Sequence, residues 1–432
     1  MQKKKHINLA LVFLTIVLPT FLWLLSFPNT TIIHNAYPVI IYSSQLFAII
    51  GFSLFALSFV LSTRIKWIEK HFGGLDKLYH KHHTIGKISF LLLLIHPLLL
   101  AFRWLPGNIE KTLWYLLPVH RKLEINLGSW ALLGLSALIL FTVVIKLPYD
   151  KWKITHKFMG LFLILGIAHV FTINDFFIEN LWLAIYFIII SFVGGSAFIY
   201  KVILHNWVVK KHLFKVEKIN KLNEKIMEIT LYNKSTDFNY IPGQFCFFQF
   251  VKEDISMESH PYTICGTSKE GRITILVKSL GDYTNNLYEK LTLNTTVLIE
   301  GPYGNFDRRL GKEKQIWIAG GVGIAPFVSW CREFENNDMS DLDIEFYYCV
   351  NNEQDAYHLH EFEKLEKAMP KFHVNLVCSD KTGFIKGSDI KEVRDRTIFI
   401  CGPKGMREAL LYDFKGLHVP KGNIIYERFD LL

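Results

Sequence analysis

Four histidines lie where polar side chains are costly. His82 and His96 bracket one apolar stretch, and His156 and His169 bracket another. The spacings are 14 and 13 residues, about 21 and 20 Å along a helix axis. An ionisable group within a membrane span is a functional hypothesis by default. Two spans carrying two each form a pattern. If both helices run from the inner to the outer face, the four imidazoles fall on two levels. His82 then pairs with His156, and His96 with His169. Two bis-histidine sites stacked across a bilayer suit two b-type haems, with these four residues as iron ligands. No carboxylate or thiolate sits nearby, which argues against another metal.

His83 competes with His82, because its spacing to His96 is 13. Context favours His82. His82 precedes Gly86, and His156 precedes Gly160, with three residues between in each case. A glycine one turn along leaves room for a porphyrin against the backbone. A step of 13 residues on a straight helix turns about 140° off face, so the second of these helices must distort. His71, His80 and His83 read as solvated positions on a basic loop. His34 and His120 fall on outer loops. With Arg103, seven residues beyond His96, they could face an outer haem propionate or an acceptor.

The elements that must carry these residues follow from composition. The chain has 432 residues, 50% hydrophobic and 20% charged, with a net charge of +9. It is two unlike pieces. Residues 1–212 hold 20 Lys+Arg against 7 Asp+Glu, or +13; the remainder holds 28 against 32, or −4. This excludes a disordered chain or a disulfide scaffold. It also argues against nucleic acid as a partner, because the excess charge lies between apolar runs. Six such runs are readable: 7–27, 39–62, 84–102, 127–147, 158–172 and 181–204. Most reach the ~20 residues a spanning helix needs. The first follows Lys3, Lys4 and Lys5 but lacks a small-residue cleavage site, so it reads as a retained helix. With the N-terminus cytoplasmic, 16 Lys+Arg fall inside and 4 outside (Arg103, Lys111, Arg121, Lys122). The positive-inside rule then places both termini in the cytoplasm of a multi-pass plasma-membrane protein. All six cysteines fall after residue 212 without metal-ligand spacing, which suits buried thiols in a reducing compartment.

Residues 213–310 read as a small antiparallel barrel, with strands at 245–251 and 272–278. Residues 311–432 alternate strand and helix: strands at 315–319, 343–350, 372–379, 397–401 and 423–429, and helices from 324, near 357–368 and from 404. That is a parallel-sheet nucleotide fold. Gly320-Gly321-Val322-Gly323-Ile324-Ala325-Pro326 follows a strand and opens a helix, where glycines let the backbone approach a pyrophosphate. Cys401-Gly402-Pro403 ends another strand at the same carboxyl edge, which would put Cys401 near a nicotinamide.

Pro242-Gly243-Gln244-Phe245, His260-Pro261-Tyr262-Thr263, Lys278 with Gly281-Asp282-Tyr283-Thr284, and Gly301-Pro302-Tyr303-Gly304 precede the glycine turn in that order. The series resembles the ferredoxin–NADP reductase flavoproteins. Together with the histidine pairs it is most similar to the ferric reductase and NADPH oxidase membrane flavocytochromes, over nearly the whole chain. The resemblance implies that His260, Pro261, Tyr262 and Thr263 hold FAD. Tyr262 would stack on the isoalloxazine, Thr263 would bond near its reactive edge, and His260 would lie by the diphosphate. Lys278, Gly281 and Thr284 match the second FAD phosphate segment. Gly321, Gly323, Pro326, Cys401, Gly402 and Pro403 match the NAD(P)H segments. Phe429 matches a terminal aromatic that covers the flavin until nicotinamide displaces it. Thr263, Cys401 and Phe429 would stand closest to the chemistry.

The expected activity is transmembrane electron transfer from cytosolic NADPH or NADH, through FAD and two haems, to an outer acceptor. O2 giving superoxide leads. A ferric or cupric chelate, and a partner redox protein, are the alternatives. No EF-hand loop or Pro-rich tail is visible, so no obligatory regulatory subunit is expected. Asn351-Asn352-Glu353 offers no arginine for a 2′-phosphate. Asn29-Thr30-Thr31 would be a glycosylation site only in a eukaryote, and the lean Lys/Ile/Phe-rich chain points to a bacterium.

Overall fold

The computed structural model describes residues 7, 9–25, 36–145, 147–173, 180–233, 238–266, 271–334 and 341–428. His34, Asn29-Thr30-Thr31 and Phe429 with the three residues after it lie outside the described residues. The chain forms two compact units: Met1–Phe72 with Leu78–Val208, and Val209–Leu432 with Gly73–Lys77.

Among its described residues the first unit consists of helices joined by turns and loops, with no strand. It contains α1 (Leu9–Leu24), α2 (Ala36–Leu61), α3 (Leu75–Phe102), α4 (Ile109–Leu116), α5 (Leu123–Val143), α6 (Tyr149–Lys157), α7 (Met159–Thr172) and α8 (Leu181–Ile199). Among the described residues five stretches are long and apolar enough to cross a membrane: Val39–Leu61, Leu75–Phe102, Leu123–Val143, Lys151–Thr172 and Leu181–Val208. The first apolar run forms only the shorter α1 among the described residues. α3 begins nine residues before the expected position 84, because its basic first turns continue the backbone ladder without being apolar. The unit is cored by Phe52, Leu135, Leu163, Leu183 and Phe187. α8 approaches α2 closely at Gly194, where a Cβ would meet Ala56 at 3.0 Å, the small-residue contact that suits helices in lipid.

In the second unit, β1 (His212–Lys221), β2 (Ile226–Tyr232), β3 (Phe245–Val251), β4 (His260–Thr263), β5 (Arg272–Lys278) and β6 (Thr296–Tyr303) form an antiparallel sheet, with α9 (Asp282–Lys290) between the last two. The strand order is β4-β3-β6-β1-β2-β5. An Ile264–Ile275 bridge joins its two edges and rolls it into a barrel.

Then follow β7 (Lys314–Gly320), α10 (Ala325–Phe334), β8 (Asp343–Val350), α11 (Leu359–Ala368), β9 (Phe372–Cys378), β10 (Thr397–Cys401), α12 (Lys404–Gly416) and β11 (Ile424–Tyr426). The parallel order is β11-β10-β7-β8-β9. β10 is buried at every residue, as befits a strand covered on both faces. The last strand is shorter than expected, ending at Tyr426. Barrel and parallel sheet share one core. Cys265, Leu276 and Phe306 pack with Trp317, Phe327, Trp330, Phe399 and Cys401. Phe306 stacks on Trp330 with centroids 5.0 Å apart. Each fully buried side chain of this size contributes about 1.5–3 kcal/mol.

Candidate functional site

The helical unit brings the four histidines together in two pairs. The rings of His82 and His156 have centroids 6.2 Å apart, and those of His96 and His169 are 6.5 Å apart. Two imidazoles on opposite faces of one metal, with bonds of ~2.1 Å, put ring centres about 6.4 Å apart. Both separations therefore accommodate a shared iron.

Three of the four remaining ring nitrogens have the partners that metal-bound histidines need. His82 Nδ1 donates to the Ser58 carbonyl at 2.8 Å, and His169 Nδ1 to the Glu124 carbonyl at 2.6 Å. His96 Nδ1 lies 3.0 Å from the Ser44 carbonyl and 2.8 Å from Ser44 Oγ, which donates to the His96 carbonyl. A carbonyl only accepts, so each of these Nδ1 atoms carries the proton and leaves Nε2 free to ligate. His156 packs on Trp152, and its Nδ1 has no partner in the chain. These residues fit b-type haem. Among the described residues no cluster of three or more His, Cys, Asp or Glu side chains is set to hold a bare ion.

Local geometry explains how both pairs form. Positions 82 and 96 lie about 40° apart around α3, near one face. Positions 156 and 169 would not share a face on a straight helix, but the helix breaks at Phe158, between α6 and α7. Gly128 on α5 makes room for His169, whose ring would lie 2.8 Å from a Cβ there. Gly86 faces open space, as a porphyrin neighbour requires. Gly160 does not: a Cβ there would fall 2.0 Å from the Phe198 ring, so this glycine admits a phenylalanine instead. His83 is exposed beside His82. Arg103 donates to Tyr115 Oη at 2.7 Å, and His120 packs on the Tyr115 ring, so these two residues share one aromatic cluster.

In the second unit the ordered motifs converge. β4 pairs with β3, setting Thr263 opposite Phe245 and Tyr262 opposite Cys246. Phe245 also pairs with Tyr303, and Gln244 Nε2 donates to the Gly304 carbonyl at 3.1 Å. Thr263 Oγ1 and Tyr262 Oη are buried without a partner in the chain, the state of groups that await a polar ligand such as a flavin. Tyr262 also packs on Phe248 with centroids 5.9 Å apart.

His260 stacks on Tyr283 of α9 at 4.0 Å, and its Nε2 lies 2.9 Å from Glu258. That stack joins β4 to the Gly281–Thr284 turn. Thr284 Oγ1 accepts from the backbone of Leu280 and Gly281, so it shapes the turn. Lys278 ends β5 just before it. Glu258 was not singled out in the sequence, and Tyr283 entered only as a member of the Gly281–Thr284 segment, without its stacking role.

The nucleotide sheet reverses strand order between β7 and β10, the switch point where such sheets bind ligands. The glycine turn follows β7, and Gly402 and Pro403 follow β10. The two loops touch: a Cβ on Gly323 would fall 2.4 Å from the Cys401 carbonyl oxygen. Gly321 has φ +53°, a conformation glycine adopts without strain. Pro326 lies in the first turn of α10, where its missing N–H costs nothing.

Cys401 is fully buried, and burial first, then Glu427, pushes its thiol well above the ordinary range. Both effects favour the neutral thiol over the thiolate that a nucleophile needs. Alkylation of the folded protein at mildly alkaline pH should leave Cys401 unmodified, with labelling only after denaturation. Labelled Cys401 peptide from the native protein would show this picture to be wrong.

Three domain families match the chain in the same order as the motifs. Residues 47–167 match the ferric reductase like transmembrane component, 211–307 an FAD-binding domain, and 317–411 an oxidoreductase NAD-binding domain. The 2-halobenzoate 1,2-dioxygenase electron transfer component of Burkholderia cepacia is 24% identical over 228 residues, covering 50% of this chain and 66% of that protein. Flavohemoprotein A of Dictyostelium discoideum is 26% identical over 272 residues, covering 56% of this chain and 66% of its own length. The chain thus spans just under two thirds of these relatives. Among solved structures, ferredoxin–NADP+ reductase from Plasmodium falciparum with 2′P-AMP superposes with a TM-score of 0.43 at 20% identity, over 51% of this chain and 98% of that one.

Proposed function

Since the chain has the ferric reductase/NADPH oxidase-like architecture with a ferredoxin–NADP reductase-type C-terminal half, we propose that it carries electrons from cytosolic NAD(P)H to an acceptor outside the plasma membrane. The acceptor is O2, giving superoxide. The matched domains support NAD(P)H-dependent electron transfer. The observation that carries the transmembrane path is the pair of histidine couples, 6.2 and 6.5 Å apart, with three of four Nδ1 atoms bonded to backbone carbonyls.

FAD would supply the conversion of a two-electron hydride donor into single electrons, and haem the one-electron carriage. The chain's residues hold and separate these groups. His82 and His156 would ligate the inner haem, and His96 and His169 the outer one. With both imidazoles of each pair given to an iron, these residues would leave it no open position, and O2 would have to be reduced without binding the metal. Thr263 offers its buried hydroxyl to the flavin, with His260, Pro261, Tyr262, Lys278, Gly281 and Thr284 around FAD. Gly321, Gly323, Pro326, Gly402 and Pro403 shape the NAD(P)H site, with Cys401 as its neutral wall. Phe429 is assigned to cover the flavin.

Purified protein given NADPH should reduce cytochrome c, and superoxide dismutase should suppress that reduction. If dismutase changes nothing while ferric chelates are reduced quickly, O2 is the wrong acceptor and a metal chelate takes its place.

A further inference from the structure

Arg332 lies on α10, about two turns past the glycine turn that opens that helix. Its Nε and Nη2 grip Glu361 of α11 at 2.9 and 2.8 Å. Nη2 also lies 3.3 Å from Glu228 Oε1 on β2, and Nη1 donates to the Cys265 carbonyl at 3.3 Å. Cys265 is two residues beyond Thr263. One guanidinium thus ties the helix behind the nucleotide turn to a barrel strand and to the backbone of the flavin strand.

His358 completes the group. It is buried, with φ +60°, its Nδ1 2.8 Å from Glu361 and its Nε2 3.7 Å from Glu228. Burial works to raise the Glu361 carboxyl, but hydrogen bonds from His358 and Arg332 outweigh it and hold the group down to about 2. The junction therefore keeps its carboxylate charge at neutral pH. The rigid planar fork bonds both Glu361 oxygens in parallel while still reaching Glu228 and the Cys265 carbonyl, and the compact ammonium of a lysine does not reproduce that bidentate grip. α10 is also docked by other means, since Trp330 Nε1 donates to the Pro242 carbonyl at 2.9 Å and Phe306 stacks on the indole. Removing the fork should loosen the alignment without undocking the helix.

We propose that Arg332 is a positioning residue for hydride transfer, holding the glycine turn of the NAD(P)H site in register with the flavin strand. The assignment rests on the flavin and nicotinamide reading above. Misplacement of reactants by about 1 Å can cost ~10²-fold in rate.

The test uses the full-length protein loaded with FAD and mixed anaerobically with NADH or NADPH. Wild type is compared with Arg332→Lys and Arg332→Gln. Bound FAD should stay stoichiometric, while first-order flavin reduction falls about 10- to 100-fold. The half-saturating nucleotide concentration should barely move, and the long-wavelength absorbance of nicotinamide stacked on flavin should weaken. Glu228→Gln, which removes the charge from one arm, should give a smaller fall in the same direction. Unchanged reduction in both Arg332 variants overturns the proposal. So does loss of FAD from all three variants, which would make Arg332 a folding residue. A wild-type chain that binds FAD yet is reduced by neither nucleotide overturns the functional reading instead, and the positioning role with it.

Discussion

His156→Ala should halve the haem content of the purified protein, from the two per chain proposed above to one, and should stop delivery to any outer acceptor while NAD(P)H still reduces the flavin. The expectation follows from the pairing. The His156 ring is the partner 6.2 Å from the His82 ring, and its loss would leave an iron held there with a single imidazole. Alanine suits a helix, so α6 itself should persist. His83→Ala is the informative control, because His83 is exposed beside His82 and should leave two haems in place. Pyridine haemochrome spectra against protein concentration measure the ratio. A ratio near two in His156→Ala would refute the inner pairing.

The second large effect is at the other end of the chain. Gly323→Ala should slow flavin reduction by NAD(P)H about 100-fold while dithionite still reduces flavin and haem normally. The added Cβ would fall 2.4 Å from the Cys401 carbonyl oxygen, 2.6 Å from its carbon and 2.8 Å from Gly402 Cα. Those are backbone atoms, so one of the two loops must shift. On the proposed reading, a shift of either would displace the nicotinamide against the flavin. Gly416→Ala, where a Cβ would meet nothing within 4 Å, should keep the wild-type rate. Stopped-flow absorbance separates the two, and an unaltered Gly323→Ala rate would remove this turn from the nucleotide site.

Much of this arrangement is legible from residue types. The strands at 245–251, 272–278, 343–350 and 397–401 form with the expected bounds, because apolar runs cut by turn residues leave little choice of register. The start of α3 is not legible, since the stretch 75–83 is basic and hydropathy says nothing about whether backbone bonds continue through it. The histidine couples follow from spacing, yet their orienting partners do not. Ser58 and Glu124 act through carbonyls that every residue possesses. The break at Phe158 is demanded by the 13-residue step, but its position is not. Gly160 shows a limit of motif reasoning: the same His-to-Gly spacing leaves space beside His82 and is filled by Phe198 beside His156. Arg332 and Glu228 stand 104 residues apart, and no local pattern announces that they meet.

The continuous core that joins Cys265, Leu276 and Phe306 to Trp317, Trp330 and Phe399 bears on how such a chain is inherited. A chain cut near residue 310 would expose the barrel's half of an aromatic cluster to water, a patch of the kind that drives aggregation. Barrel and nucleotide sheet should therefore melt as one cooperative block, not as two beads on a string. Gene fusion can attach that block to a membrane module or a soluble partner, but exchanging one half for a foreign one requires repacking the seam. The unit that evolution can shuffle is the whole reductase.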